Sequence, residues 1–231
     1  MDWNVLIKVA RMQLADRTSL TALPWGILAM AFAVSIAVAA SFSGSGAQIP
    51  SGGLASIYIA FCSLGVLSVT HSLPFALALG VSRRSYFAGT ALLAVGLATV
   101  YGLALALLGL IEGASGGWGV GLHFFRQAYI LPGPWYLTWL TSCVGLALMF
   151  VYGMWTGLVY RRWNVPGLLT FAAGQATVAT VWVIATSRAN AWPAVGRFFT
   201  TLSAAGVTGL LAALVLILLA GGYTTMRGVT L

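Results

Sequence analysis

Long apolar runs, separated by short polar or glycine-rich stretches, are the feature that most constrains how this chain folds. A helix needs about 20 mostly apolar residues to cross the hydrocarbon core of a bilayer. Runs near or above that length cover residues 20–42, 54–79, 88–112, 136–160, 168–187 and 204–223. The pattern predicts an all-α integral membrane protein with six transmembrane helices in a single domain, residues 20–223.

Composition excludes most other classes of protein. Only 6% of the 231 residues are charged and 60% are hydrophobic, whereas an average soluble domain has about 25% charged residues. Such a chain cannot cover a water-facing surface, and it is too apolar to be disordered. The net charge of +8 comes from basic residues scattered singly or in pairs between apolar runs, so we expect no nucleic acid among its partners.

The first 18 residues have the pattern of an amphipathic helix rather than of a membrane span. Its apolar stripe contains Trp3, Leu6, Ile7, Ala10 and Leu14, and its polar stripe contains Asn4, Lys8 and Arg11. The pattern predicts an interfacial helix over residues 1–18. A cleaved signal peptide is the alternative interpretation. The apolar core of such a peptide is only about 7–15 residues long, whereas the apolar run that follows this segment covers residues 20–42.

The distribution of lysine and arginine predicts the orientation of the chain, because cytoplasmic loops are enriched in both. With a cytoplasmic N-terminus, eight basic residues lie inside: Lys8, Arg11, Arg17, Arg83, Arg84, Arg161, Arg162 and Arg227. Three lie outside: Arg126, Arg188 and Arg197. We therefore expect a multi-pass protein of the cytoplasmic (inner) membrane with both termini cytoplasmic. Residues 224–231 then form a cytoplasmic tail, and residues 113–135 and 188–203 form outer segments.

Few residues of this chain are suited to catalysis or to metal binding. After Asp16 the only carboxylate is Glu112, so no carboxylate pair is available for acid–base catalysis. Lys8 is the only lysine, which excludes a phosphate-binding loop of the usual Gly-Lys-Ser/Thr type. We expect no catalytic, cofactor or metal site in this chain. We interpret His71 as a packed helix histidine and assign no role to Glu112.

Small residues and turn-forming residues predict where the helices approach one another. Residues 153–157 form a Gly-x-x-x-Gly motif in the fourth run, and Ala29, Ala33 and Ala37 form a stripe in the first. Both patterns permit close helix packing, and we expect packing within the chain rather than a dimer contact. The order Arg-Arg-Trp-Asn-Val-Pro-Gly over residues 161–167 predicts a tight connection between the fourth and fifth runs.

The connection between the second and third runs, residues 74–90, is the most unusual segment of the chain. It is too apolar for a solvated loop and too polar at its centre for lipid. Pro74 can bend the preceding helix, and Gly80 permits a turn. Ser82 is suited to cap a short helix that begins at Arg83 and exposes two arginines and a tyrosine to the cytoplasm. An ordinary loop enriched in basic residues is the alternative interpretation.

The order Pro-Phe-x-x-x-x-Gly-x-Ser-Arg-Arg-x-x-Phe in this segment resembles the first cytoplasmic connection of ABC type-2 exporter permeases, particularly those of actinobacteria. The resemblance in sequence rests mainly on residues 74–89, while chain length and the expected helices agree in architecture. In that family the connection is a coupling helix that docks onto a separate ATP-binding subunit. The resemblance implies this role for Gly80, Val81, Ser82, Arg83, Arg84, Ser85 and Tyr86. It also implies that the helix over residues 1–18 braces the same subunit.

The resemblance implies the composition of a complex as well. Two ATP-binding subunits would bind ATP and Mg²⁺, so this chain would not itself be an enzyme and would bind no cofactor. A second permease, identical or paralogous, would complete a dimer in the lipid bilayer with the substrate path at its interface. Short outer helices would cap that path, and an aromatic and cationic rim would face an amphiphilic or anionic substrate. The rim residues are His123, Phe124, Phe125, Arg126, Arg197 and Phe198; ordinary interfacial anchoring is the alternative explanation for them.

Other functional classes remain as alternatives. The six-span substrate-binding component of an energy-coupling-factor vitamin importer has a similar size, and the alanine stripe over residues 29–37 matches its docking to a transmembrane partner. Such a component does not need the pattern over residues 74–89. A membrane enzyme is disfavoured because acidic residues and metal ligands are missing, and a structural subunit of an assembly is the remaining class.

Overall fold

Helices account for nearly all of the described chain. The computed structural model describes residues 7, 9, 12, 13, 18–41, 49–125 and 134–227. Five helices within these residues are long and apolar enough to cross a membrane, which confirms an all-α architecture suited to a bilayer. The helices are α1 (Leu23–Ser41), α2 (Ala55–Leu67), α3 (Leu73–Ala78), α4 (Arg83–Ala114), α5 (Trp135–Arg188), α6 (Trp192–Thr201) and α7 (Ala204–Arg227).

Short irregular elements connect these helices. Three π-helical turns, Thr18–Ala22, Ser68–Ser72 and Gly117–Gly121, precede α1, join α2 to α3 and follow α4. Strands β1 (Ile49–Pro50) and β2 (Leu122–His123) form a parallel pair. This pair attaches the loop that follows α4 to the loop that precedes α2.

Helix α5 is 54 residues long, more than twice the length that crosses a bilayer, and it folds back on itself. Its backbone leaves helical geometry at Asn164, where φ is 55° and ψ is −151°. The Tyr152 hydroxyl donates to Gln175 Oε1 at 2.7 Å, although these residues would lie about 34 Å apart in a straight helix. The rings of Trp155 and Phe171 also meet, with centroids 5.3 Å apart. The predicted tight connection is therefore confirmed.

Substitution of Asn164 tests this hairpin turn, since its positive φ is unfavourable for a β-branched residue. We expect Asn164→Val to lower the free energy of unfolding by about 1–3 kcal/mol, the usual penalty for such strain. We expect Asn164→Gly to be neutral or stabilising, because glycine adopts this conformation freely. Unfolding of both variants in mild detergent, followed by circular dichroism, measures the difference. Equal stability of the two variants would contradict the turn geometry.

Helices α2 and α5 pack with their backbones almost in contact. A Cβ atom added to Gly65 would lie 2.0 Å from the Phe150 carbonyl oxygen, and one added to Gly153 would lie 1.9 Å from the Cys62 carbonyl oxygen. Only glycine fits at either position, as in other closely packed membrane helices. The Gly-x-x-x-Gly motif over residues 153–157 therefore packs within the chain, as predicted.

The alanine stripe of α1 does not pack in this way. Ala29, Ala33 and Ala37 are all exposed in the described structure, so the prediction that they pack within the chain is wrong. Leu28 and Ala39 occupy the buried face of α1 instead. The stripe is therefore available to lipid or to another protein.

Large apolar side chains cover the outside of the helix bundle. Met30 is 72% exposed, Val178 71% and Leu216 67%. Contact of such surface with water is unfavourable by about 25 cal/mol per Å², and soluble monomers rarely expose apolar patches of this extent. Lipid is the environment that suits this surface.

Helix α4 connects two ends of the bundle, which we call the arginine end, around Arg83, and the glutamate end, around Glu112. Its 32 residues measure about 48 Å at the α-helical rise. At the arginine end, Phe87 near the start of α4 meets Tyr223 near the end of α7, with ring centroids 5.7 Å apart. The two ends are therefore separated by the full length of a membrane helix.

Candidate functional site

The segment between α3 and α4 is held in one conformation by backbone hydrogen bonds. Gly80, just after α3, has a φ of 79°, a conformation that favours glycine. Its N–H donates to the Leu77 carbonyl at 3.0 Å, and the Val81 N–H donates to the Ala76 carbonyl at 3.0 Å. These two bonds form a Schellman motif, which ends a helix in a defined direction. The turn predicted at Gly80 is confirmed.

Ser82 caps the next helix, as its position in the sequence predicts. Its backbone is extended, and its Oγ accepts a hydrogen bond from the Ser85 N–H at 3.1 Å. The Ser82 hydroxyl donates in turn to Ser85 Oγ at 2.9 Å. The helix that begins here is α4 itself and not the short separate helix that we expected, because helical geometry continues without interruption to Ala114. The arginines of the first turn therefore belong to a membrane-length helix.

Tyr86 faces the protein interior, so the expectation that it points to the cytoplasm is wrong. It is 1% exposed, and its hydroxyl donates to the carbonyl oxygen of Ser68 in the π-helical turn. The side chains of Thr90, Ser72 and Gln13 surround the same hydroxyl. The reason is helical periodicity, since Tyr86 and Thr90 lie four residues apart on one buried face of α4. Tyr86 anchors the segment and is not available to a partner.

The exposed surface of the segment is both apolar and cationic. Phe75 is 57% exposed and Leu79 is 63% exposed. Their spacing of four residues places Phe75 in α3 and Leu79 at its C-terminal end on the same side of the segment. Neither residue was predicted as part of a site, although this spacing was visible in the sequence. Gly80, Ser82 and Arg84 are exposed as well, while Val81, Arg83 and Ser85 are half-buried.

The π-helical turn Ser68–Ser72 lies inside the second apolar run and ends just before Pro74, in the first turn of α3. Proline has no N–H to donate and interrupts α-helical pairing, so the change of helix type occurs where the sequence predicts a bend. His71, within the turn, is exposed. The interpretation of His71 as a packed histidine is therefore wrong.

The N-terminal segment is attached to the arginine end through the few of its residues that the structure describes. Residues 7, 9, 12 and 13 are helical. Val9 is 2% exposed in the core cluster around Tyr86, and Gln13 Nε2 donates to Thr90 Oγ1 at 2.8 Å. These two buried residues are not part of the predicted apolar stripe. Of that stripe and its polar neighbours, Ile7 is half-buried, and Trp3, Leu6, Lys8, Arg11 and Leu14 lie outside the described residues.

The glutamate end carries a buried carboxylate that organises the loop after α4. Glu112 is 1% exposed, and its Oε2 accepts a hydrogen bond from the Trp118 indole N–H at 3.1 Å. The same oxygen accepts from the backbone N–H groups of Phe124 and Phe125 at 3.0 and 2.8 Å. His123 Nδ1 lies 3.8 Å from Glu112 Oε1. This role of Glu112 was not predicted, although its isolation as the last acidic side chain in the sequence was a usable signal.

Phe124 and Phe125 do not form an outer rim, contrary to expectation. They are 0% and 8% exposed, and their ring centroids lie 5.2 and 5.5 Å from that of Phe32 in α1. The reason is that Glu112 binds their backbone N–H groups and holds both residues against the bundle. An edge-to-face aromatic cluster of this kind stabilises the loop rather than exposing it to a substrate.

The other predicted rim residues remain near the surface. His123 is half-buried, and Arg197 and Phe198 are exposed on α6. Helix α6 is the short helix expected before the last membrane helix. Arg126 lies outside the described residues.

The described residues combine an exposed turn with a long helix that is anchored at its far end. Among them, no group of three or more His, Cys, Asp or Glu is placed to hold a metal ion. An exposed, capped turn is joined without a break to a helix whose other end is fastened by Glu112. No family model, no curated protein and no solved structure matches the chain.

Proposed function

We propose that this chain is the membrane-spanning permease subunit of an ATP-driven exporter. The observation that carries the proposal is the rigid turn over residues 79–84, which presents Leu79 and Arg84 outward and continues directly into α4. A partner protein that binds and displaces this turn would therefore also displace a helix of membrane length. This geometry supports the coupling role that the resemblance implies.

Six membrane spans and a cytoplasmic arginine end are part of the proposal. The two arms of α5, on either side of Asn164, are each longer than about 20 residues and so count as separate spans. The hairpin connection holds Arg161 and Arg162 near the arginine end, together with Arg83 and Arg84. The enrichment of basic residues in cytoplasmic loops then places this end, and both termini, on the cytoplasmic side of the inner membrane.

The proposed docking surface differs from the one expected from the resemblance. It consists of the exposed and half-buried residues of the segment, which include Phe75 and Leu79 and exclude the buried Tyr86. Apolar side chains bind a groove on the partner, and the guanidinium groups pair with its carboxylates. Tyr86 acts as a positioning residue, because its hydrogen bond to the Ser68 carbonyl ties α4 to the second span.

The sequence has no phosphate-binding loop of the usual Gly-Lys-Ser/Thr type, so in this proposal separate subunits bind ATP. Two ATP-binding subunits supply ATP and Mg²⁺, and a second permease, identical or paralogous, completes the substrate path. ATP binding and hydrolysis move the docked turn, and α4 carries that movement toward the glutamate end. His123, Arg197 and Phe198 are the predicted rim residues that lie at least partly at the surface, and in this proposal they contact the exported molecule.

Charge reversal tests the docking surface. We expect Arg83→Glu combined with Arg84→Glu to leave membrane insertion intact and to reduce co-purification of the ATP-binding subunit at least about tenfold, because carboxylates would then face carboxylates. Mild-detergent purification from the native host, with mass spectrometry of the bound proteins, measures the change. The matched control is Arg188→Glu combined with Arg197→Glu, which reverses two charges near the opposite end and should retain the partner. Equal recovery of the partner with both double variants would refute the docking assignment.

The exposed alanine stripe favours a second candidate function, the substrate-binding component of an energy-coupling-factor importer. Ala29, Ala33 and Ala37 present a surface on which another membrane helix can pack closely. The two candidates differ in what is recovered together with the purified chain. A substrate-binding component retains a vitamin through purification, whereas a permease subunit is recovered with an ATP-binding protein.

A further inference from the structure

A half-open cavity of about 170 Å³ lies at the arginine end, between the N-terminal segment, the second span and α5. Its wall combines four polar side chains, Gln13, Ser68, His71 and Ser72, with three leucines and one phenylalanine. The three polar lining residues that come from the second span, Ser68, His71 and Ser72, all belong to the π-helical turn Ser68–Ser72. Such turns occur frequently at functional sites.

Gln13 is the polar group of this wall that needs a partner. Its side chain is 7% exposed, and its Nε2 donates to Thr90 Oγ1, but its buried Oε1 has no hydrogen-bond donor. The opposite orientation of the amide would leave an N–H group unpaired instead, so one end of Gln13 lacks a partner in either case. Buried polar groups are almost always satisfied, because an unpaired one is costly.

The two neighbouring hydroxyl groups of Tyr86 and Ser68 do not satisfy Gln13, because each donates its proton to a backbone carbonyl oxygen. The Tyr86 hydroxyl donates to the Ser68 carbonyl oxygen. The Ser68 hydroxyl donates to the Gly65 carbonyl oxygen at 2.7 Å. Among the described residues Gln13 Oε1 has no hydrogen-bond partner, so a hydroxyl group on a molecule that enters the cavity would supply the missing donor.

The lining selects the chemical class of that molecule. Among the described lining residues none is an acid, a lysine or an arginine, so this part of the wall offers no counter-charge to a strongly charged head group. A hydroxyl group matches the site, because it donates to a carbonyl oxygen and accepts from a serine or histidine. Pockets for whole drug-sized molecules measure about 300–1,000 Å³, so this cavity accommodates only the end of a larger molecule.

We propose that the cavity binds the hydroxyl-bearing end of an uncharged amphiphile, with its alkyl chain leaving along the leucines toward the bilayer. The hydroxyl proton goes to Gln13 Oε1, and the hydroxyl oxygen accepts from Ser72 or His71. His71 lines the cavity and is itself exposed. The proposal depends on no ATP-binding partner and stands apart from the exporter function.

A photoreactive alcohol tests the proposal on the intact protein in nanodiscs. The probe is dodecan-1-ol with a mid-chain diazirine, and labelled peptides are identified by mass spectrometry. We expect saturable labelling of the peptide that contains residues 64–72. Unlabelled dodecan-1-ol should compete about tenfold better than its methyl ether, which has a similar chain but no proton to donate. Equal competition by the two compounds, or labelling that does not saturate, would overturn the proposal.

Matched variants assign the labelling to the cavity. Gln13→Met removes the amide, and Leu67→Trp fills the cavity while it leaves the Gln13–Thr90 bond in place. We expect each to lower saturable labelling at least about fivefold. Gln175→Met, on the distant second arm of α5, is the control and should label like the unchanged protein. Full labelling of Leu67→Trp would overturn the proposal even if Gln13→Met fails to fold.

Discussion

Gly153→Ala is expected to lower the free energy of unfolding by about 3 kcal/mol or more, at the upper end of the range for overpacked cores. The added methyl group would lie 1.9 Å from the carbonyl oxygen of Cys62. Because the obstacle is the backbone of α2 and not the end of a flexible side chain, rotation about a side-chain bond cannot relieve the clash. The two helices must separate, which also loosens the contact between Gly65 and Phe150.

Gly174→Ala is the matched control, because Gly174 lies on the same helix and nothing is within 4 Å of its added Cβ atom. Alanine has a helix propensity about 1 kcal/mol better than that of glycine, so this variant should be as stable as the unchanged protein or more stable. Unfolding of both variants in one detergent, followed by tryptophan fluorescence, gives the comparison. Coincident unfolding curves for the two variants would show that α2 and α5 are not packed backbone to backbone.

Glu112→Ala is expected to release the loop after α4 and to destabilise the protein by about 3 kcal/mol or more. The substitution leaves the Trp118 indole N–H and the N–H groups of Phe124 and Phe125 without their acceptor. Each buried donor that loses its partner costs about 1–3 kcal/mol. Hydrogen exchange at the amides of Phe124 and Phe125 measures the release directly, and we expect it to rise strongly.

Glu112→Gln separates hydrogen bonding from charge. One oxygen of Glu112 accepts the hydrogen bonds from Trp118, Phe124 and Phe125, and the amide oxygen of glutamine can take its place in these bonds. We expect this variant to lose about 1 kcal/mol, the usual difference for replacing charge-assisted bonds by neutral ones. If alanine and glutamine at this position gave the same exchange rates, the loop would be held by its aromatic contacts and not by the carboxylate.

These anchors give α4 a defined role in the proposed exporter. At the arginine end, the helix is tied to the second span by Tyr86 and to the N-terminal segment by the Gln13–Thr90 bond. At the glutamate end, Glu112 ties it to the loop that follows α4. In the proposed exporter, displacement of the docked turn would be carried along α4 toward that loop.

Local features of the chain were predictable from the sequence because their causes lie within a few residues. The length of the apolar runs determines which segments can cross a bilayer. Gly80 permits the left-handed turn, Ser82 provides a side-chain acceptor for a helix start, and residues 161–167 combine turn formers with a proline. The structure shows the turn, the cap and the connection where the sequence places them, and it has five helices long and apolar enough to cross a membrane in the described residues.

Only the tertiary structure decided which side of each element faces another. Tyr86 is buried because α4 continues past the expected short helix and turns that face toward the second span. Phe124 and Phe125 are buried because a carboxylate twelve or more positions away binds their backbone, and Ala29, Ala33 and Ala37 are exposed because Leu28 and Ala39 occupy the inner face of α1. The sequence by itself determined the apolar segments, the turn at Gly80, the cap at Ser82 and the connection over residues 161–167, since these depend on neighbouring residues; the partners of Glu112, Tyr86 and Gln13 depend on contacts between distant segments.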